Sequence, residues 1–384
     1  MDQSLYHYSL CITLSLMLFF GLHMLFARIP EKNIFRNFLL SRRLMGTALL
    51  VLSGNYCVHL FCTLRQWNVS AGIMMNLATY FLCYWLFSSA MMTLLDNRYI
   101  TRRLCSRHLL MWLAYCAAAG VVMCFSADSM LRSGGLAVLA VWLVCYGVFL
   151  SVRILRTYNS AIRMFENTRS DDIGAYIRWL SVFTYWAVIF GVGCGLLTFL
   201  PDRYVYIWIL SSIPFYVYLY CCYQNYMLFY ETVETAIQKE RGEEAEQEAA
   251  DLSVAVPPYH SDIALCISTW IDGEGYRKPG LTLQDVAQQI HTNRTYLSEY
   301  INTVYQQSFR DWIAGLRIEY AKRLMLEQPH LKMLEISVAS GFLSLSHFTK
   351  TFSEKENCSP ARWSRNQGGA EQHGADEAHE ADLP

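Results

Sequence analysis

The chain has 384 residues, of which 54% are hydrophobic and 16% charged, and an average that apolar excludes an ordinary soluble protein over the whole length. Its net charge of −1 points to no class of partner. The thirteen cysteines are scattered, most of them in apolar runs, with no C-x-x-C pair and no histidine cluster at metal-ligand spacing. They read as small buried hydrophobes, so neither a disulfide framework nor a metal site is expected, and no cofactor is implied.

The average conceals two halves. Residues 1–230 are apolar runs separated by short charged gaps, and from Glu231 onward the chain is polar. Seven stretches approach or exceed the ~20 residues that a membrane helix needs: 6–27, 44–64, 73–95, 109–126, 134–152, 179–200 and 204–226. The first is not expected to be a cleaved signal, because nothing basic precedes it and Arg28, Lys32 and Arg36 follow it.

The gaps after the first, third and fifth stretches carry the arginines and lysines. They hold Arg28, Lys32, Arg36, Arg42 and Arg43, then Arg98, Arg102, Arg103 and Arg107, then Arg153, Arg156, Arg163, Arg169 and Arg178. The even gaps hold only Arg65, Arg132 and Arg203. By the positive-inside rule the odd gaps are cytoplasmic, the N-terminus is external, and an odd number of spans returns the C-terminus to the cytoplasm.

Polar residues inside such spans need partners in hydrocarbon. His23 lies in the first, Asn55 and His59 in the second and Asn76 in the third. Asn55, His59 and Asn76, with Tyr80 and Tyr84, are candidates to line a ligand pocket open to the outside. Interhelical hydrogen bonds that merely hold the bundle together are the alternative. Pro214 is expected to kink the last span.

Residues 231–258 read as an acidic linker, with Glu240, Glu243, Glu244, Glu246 and Glu248 before a break at Pro257-Pro258. A soluble domain is expected over 259–365. The tail 366–384, acidic and without large apolar residues beyond Leu383, is expected to be disordered.

The soluble domain reads as two helix-turn-helix units joined by a long helix. In the first, Leu283, Val286, Ala287 and Ile290 recur at helical spacing, Thr282 and Asp285 make a capping box, and a second helix starts after Asn293. In the second, Leu334 to Phe352 repeats the logic, with Gly341 where the first helix must stop. The series Asn293 to Ser298, Phe309 to Trp312, Leu316 to Ala321, Gly341 to Ser344, Phe348 to Phe352 and Ser359 to Trp363 resembles the DNA-binding domain of the AraC/XylS transcription regulators. Ser337 stands where that family usually has Ala, and Asn357 where it usually has Gly. Both substitutions are mild, because Ser can bond back to its own helix and Asn tolerates a left-handed backbone.

The resemblance implies two recognition helices entering successive major grooves, with the helix 309–326 setting their separation. It makes Thr295, Ser298 and Glu299 groove-facing on the first, and Leu345, Ser346, Thr349 and Lys350 on the second. Asn293, Arg294, Ser344 and His347 are placed for phosphates. Over 259–365 twelve Lys and Arg stand against eleven Asp and Glu, so one copy is expected to bind DNA weakly and a homodimer is a candidate partner.

The fold class expected is therefore all-α: an N-terminal seven-transmembrane-helix bundle at 1–230, and a C-terminal AraC-type double helix-turn-helix domain. The function expected is a one-component transcription regulator in the cytoplasmic membrane. Its partners are promoter DNA, the lipid bilayer, and a small-molecule or membrane signal. The rival is a bundle that only anchors the DNA-binding domain. No phosphate loop, nucleophile elbow or metal-spaced cluster points to an enzyme.

Overall fold

A computed structural model describes residues 2–28, 33–96, 99–125, 129–170, 174–199, 202–251 and 260–367. The described residues are almost wholly helical, and contacts among them divide the chain into two compact units. One is Met1–Ala161 with Tyr176–Lys239, and the other is Ile162–Ala175 with Glu240–Pro384.

The first unit contains α1 (Asp2–Phe26), α2 (Arg36–Phe61), the short α3 (Leu64–Trp67), α4 (Val69–Leu95), α5 (Arg102–Phe125), most of α6 (Ser129–Thr168), α7 (Gly174–Leu197), α8 (Asp202–Ser211) and the start of α9 (Ile213–Asp251). Six described helices are long and apolar enough to cross a membrane. α7, the sixth expected span, enters that comparison only as the shorter stretch Ile177–Ile189, because part of it lies outside the described side chains. The last expected span is interrupted by a one-residue turn at Ser212, between the end of α8 at Ser211 and the start of α9 at Ile213, within the single apolar stretch Tyr204–Glu231. Pro214 then falls in the first turn of α9, where its missing N–H costs nothing, and Ser212 Oγ donates to Ile209 O at 2.7 Å across the break.

Small residues let α1 and α2 touch backbone to backbone. A Cβ on Gly46 would stand 2.9 Å from Gly21 O, closer than real side chains come. Behind them, Phe81 of α4 stacks on Tyr115 of α5 and Tyr146 of α6 with ring centroids 4.5 and 4.1 Å away. The outward faces are apolar instead, with Phe19, Phe26, Phe61, Leu110, Val141 and Phe149 all exposed. Such a surface is foreign to water.

α9 continues as helix through the expected linker to Asp251, while Pro257-Pro258 and residues 368–384 of the expected tail lie outside the described residues. The second unit then contains α10 (His260–Asp272), a 3₁₀ turn (Gly275–Arg277), α11 (Leu283–Gln289), α12 (Arg294–Tyr300) running into a π turn (Ile301–Tyr305), α13 (Phe309–Glu327), α14 (Met333–Ala339) and α15 (Leu345–Glu356). α13 belongs to two cores. Phe309, Trp312 and Ile313 pack with Leu283, Val286 and Leu297, whereas Ile318, Ala321 and Met325 pack with Ile336, Phe348 and Phe352.

The two helix-turn-helix turns use one hydrogen-bond scheme. Thr292 N donates to Ala287 O at 2.9 Å, and fifty residues later Phe342 N donates to Ser337 O at 3.0 Å. Each scheme needs a left-handed residue, and these are His291 (φ 57°) and Gly341 (φ 86°). Space separates them: a Cβ on Gly341 would stand 2.3 Å from Arg277 O, whereas His291 is exposed. The two family departures fit as expected. Asn357 takes φ 55° at the end of α15, and Ser337 Oγ donates to Leu334 O at 2.9 Å.

Gly341→Ala is therefore expected to destabilise the second unit by more than about 2 kcal/mol through strain and collision with Arg277. His291→Gly, which relieves only the left-handed strain, is expected to raise stability by up to about 1 kcal/mol in denaturant titrations.

Glu274 joins the 3₁₀ turn after α10 to α13, accepting from Arg277 and, at 2.6 Å, from Arg323. The Arg277 hydrogen bond, with Arg323 adding to it, holds the Glu274 carboxyl below its ordinary pKa of 4.5. A depressed carboxylate stabilises fully above that value and loses its contribution as pH falls through the folded-state pKa. Glu274→Gln should therefore lower the thermal midpoint at pH 7 and leave a smaller difference from wild type at pH 3.

Candidate nucleic-acid interface

Both predicted recognition helices begin with a side-chain cap. Asn293 Oδ1 accepts from Tyr296 N at 2.8 Å to start α12, and Ser344 Oγ accepts from His347 N at 3.2 Å to start α15. These two side chains are thus engaged by their own helices. Inward-facing apolar residues fix how each helix is rotated. Leu297, Tyr300 and Ile301 bury one side of α12, and Phe348 and Phe352 one side of α15.

The opposite sides hold most of the residues expected there. On α12, Thr295 and Glu299 are exposed and Ser298 half-buried, with Asn302 Nδ2 donating to Ser298 Oγ at 3.4 Å. On α15, Leu345, Ser346 and Lys350 are exposed and Thr349 half-buried, and Lys350 Nζ lies 3.8 Å from Glu354 Oε1 one turn on. His347 is half-buried and sets its ring edge-on to Phe342 at 5.5 Å. Arg294, expected beside a phosphate, is only 8% exposed.

Arg317 on α13 is the residue whose role motif spacing did not reveal. It is 1% exposed, yet its guanidinium donates to Tyr276 O at 2.9 Å, to Lys278 O at 2.8 Å and to Ser170 Oγ at 3.4 Å. Ser170 belongs to the segment Ile162–Ala175 that packs within this unit. Ser170 N also donates to Leu281 O at 3.0 Å, Arg169 pairs with Thr282 in an isolated antiparallel bridge, and Arg310 lies 3.7 Å from Glu166. In sequence this segment is an ordinary arginine-bearing gap, and no signal marks it as part of the C-terminal unit.

Two capped helices, each following an Asp- or Glu-capped helix through the same turn, are the features of a double helix-turn-helix. A family model described as a helix-turn-helix domain matches residues 286–366. The C-terminal unit carries an AraC-type helix-turn-helix domain. The AraC-type domain is 32% identical over 80 residues to the transcriptional regulator ExsA of Pseudomonas aeruginosa, covering 21% of this chain and 28% of that protein. It is 32% identical over 83 residues to the virulence regulon transcriptional activator VirF of Yersinia enterocolitica, covering 22% and 30%. It is 30% identical over 83 residues to the melibiose operon regulatory protein of Escherichia coli, covering 22% and 27%. The chain thus spans less than a third of the length of these curated relatives, and the likeness stops at the AraC-type domain. No solved structure matches the chain.

The candidate ligand residues of the first unit form a polar chain. His59 Nε2 meets Asn76 Oδ1 at 2.8 Å, Asn76 Nδ2 donates to Thr198 Oγ1 at 3.2 Å, and Asn55 Nδ2 donates to Thr79 Oγ1 at 3.0 Å. Asn55, His59, Asn76 and Tyr80 line one cavity. Tyr84 lines a neighbouring one, together with Tyr80, and its hydroxyl donates to Ala187 O at 2.9 Å.

The exposed face of α15 allows a direct test. Lys350→Ala is expected to weaken binding of the full chain to its own promoter site by about 1–3 kcal/mol, and binding to random DNA far less, if Lys350 donates to a base edge. Equal losses in a fluorescence-anisotropy titration would assign Lys350 to a phosphate.

Proposed function

We propose that this protein is a membrane-embedded, one-component transcription regulator. Its N-terminal unit responds to a signal, and its C-terminal AraC-type domain binds promoter DNA sequence-specifically. The observation that carries the reading is the joining, in one chain, of long helices with apolar outward faces to an AraC-type helix-turn-helix domain. The arginine asymmetry of the gaps supports seven spans with the N-terminus outside and the DNA-binding domain in the cytoplasm. Thr295, Ser298 and Glu299 on α12, with Leu345, Ser346, Thr349 and Lys350 on α15, are the base-reading set. His347 and Ser344 sit beside phosphates.

α6 is the element best suited to couple the units. Its earlier part belongs to the first unit, and Ile162–Thr168 belongs to the second, next to the residues that meet Arg317 and Leu281. A signal that favours one arrangement of the bundle shifts output only as far as its affinities for two arrangements differ.

The second reading, a passive anchor, draws on the His59–Asn76–Thr198 chain, which also serves to tie helices together. One experiment separates the two. An unrelated bundle of the same orientation replaces residues 1–161 and 176–230, with Ile162–Ala175 retained, and promoter output is followed under the natural inducing condition. Loss of the response at unchanged protein level and unchanged DNA affinity is the expected result. A normal response would make the bundle an anchor.

A further inference from the structure

The polar cavity of the first unit is chemically lopsided. Asn76 commits its Nδ2 to Thr198, so it presents its oxygen to His59, whose Nε2 must then carry the proton. The neutral ring is left with Nδ1 as an acceptor. Asn55 is spent in the same sense, because Thr79 donates its hydroxyl to Met75 O at 2.8 Å and receives Asn55 Nδ2. Its Oδ1 is left as a second acceptor. Among the described residues neither Asn55 Oδ1 nor His59 Nδ1 has a hydrogen-bond partner, although Asn55 is 4% exposed and His59 5%. Two orphaned acceptors, one helical turn apart on α2 and carried by residues that line one cavity, are costly unless something donates to them.

A second, larger cavity adjoins the first. Tyr56, Tyr80 and Trp208 line both. Its walls are Leu52, Phe87, Leu150, Ile154, Phe183 and Phe215. Its hydroxyls are mostly satisfied at home, Thr184 Oγ1 by Leu180 O and Ser212 Oγ by Ile209 O, and Ser88 Oγ alone of these lacks a described partner. The pair of cavities thus has an apolar chamber at one end and two bare acceptors at the other.

We propose that the adjoining cavities bind a neutral, mainly apolar small molecule whose polar head is a hydrogen-bond donor: a phenol or alcohol that gives its one proton to Asn55 Oδ1 or His59 Nδ1, or a primary amide that donates to both. The ligand occupies the chamber with its apolar body and meets an acceptor with its head. The proposal rests on the reading of the first unit as the responsive one, and it names the chemistry of that response. Arg65 also lines the polar end, but its Nη1 donates to Thr198 O at 3.2 Å, so it braces the network.

The test uses the full chain in lipid nanodiscs and three probes of one shape: 4-butylphenol, 4-butylanisole and 4-butylbenzoate. Saturable binding above that to empty nanodiscs is measured by equilibrium dialysis. The phenol is expected to bind about fivefold or more tighter than the anisole, the worth of one buried hydrogen bond. In the Asn55→Leu/His59→Leu double variant the anisole should bind as before while the preference for the phenol falls towards one, and the single variant that removes the acceptor in use should do the same. Retained anisole binding shows that these variants are folded. Leu52→Trp, which fills the chamber, should abolish binding of both. Equal binding of phenol and anisole to the wild type overturns the proposal, because water then suffices for the acceptors. Tighter binding of the benzoate overturns it too, by moving the head to Arg65. Promoter output is recorded separately. Selective binding without any change in output would keep the site and remove the sensing role, whereas a response without phenol preference would do the reverse.

Discussion

The second unit depends on a buried cation. Arg317 has lost nearly all contact with water, and a guanidinium in that state is costly unless its donors are met. They are met by the carbonyls of Tyr276 and Lys278, in and just after the 3₁₀ turn that precedes the first helix-turn-helix, and by the Ser170 hydroxyl. Phe342, which opens the second recognition segment, lies beneath the same guanidinium at 5.7 Å. One side chain therefore gathers both helix-turn-helix units and a segment more than a hundred residues upstream. A lysine would not replace it, having neither the planar fork nor enough directed donors.

Around that point the domain is built from one device used twice. A short capped helix, a left-handed residue and a second capped helix appear before and after α13, and α13 lends one end to each core. The copies differ where they meet. Gly341 sits against the Arg277 carbonyl, and Arg277 Nε in turn donates to Ala339 O at 3.0 Å, so the second turn is also an interface within the unit. Lys322 ties the far end of α13 to Glu356 of α15 at 3.2 Å. Lys322 thus ties α15 to α13, while α12 is held to α13 through the apolar cluster of Leu297, Phe309 and Trp312.

The first unit follows a different economy. Its packing relies on small residues at helix crossings and on stacked aromatics, and its few polar side chains are drawn together in pairs. Small residues let the helix backbones approach, and hydrogen bonds between side chains add directed contacts inside an apolar bundle. Groups left over from such pairing stand out. In water an unpaired carbonyl oxygen is routine, but inside an apolar bundle it marks where a ligand or a water belongs.

The sequence alone determined the all-α class, the division into an apolar and a polar half, and the AraC-type domain with its caps. Each of these rests on local spacing: runs of about 20 apolar residues, helical periodicity, and capping residues beside glycine or asparagine turns. It also brought Asn55, His59, Asn76 and Tyr80 together as one candidate set, since polar residues in apolar runs must find one another. Tertiary structure decided what depends on contacts distant along the chain. It buried Arg294, placed Ser170 against Arg317, and left Asn55 and His59 with one acceptor each. Those outcomes are set by which donors and acceptors meet after folding, and no local pattern of residues encodes the remainder.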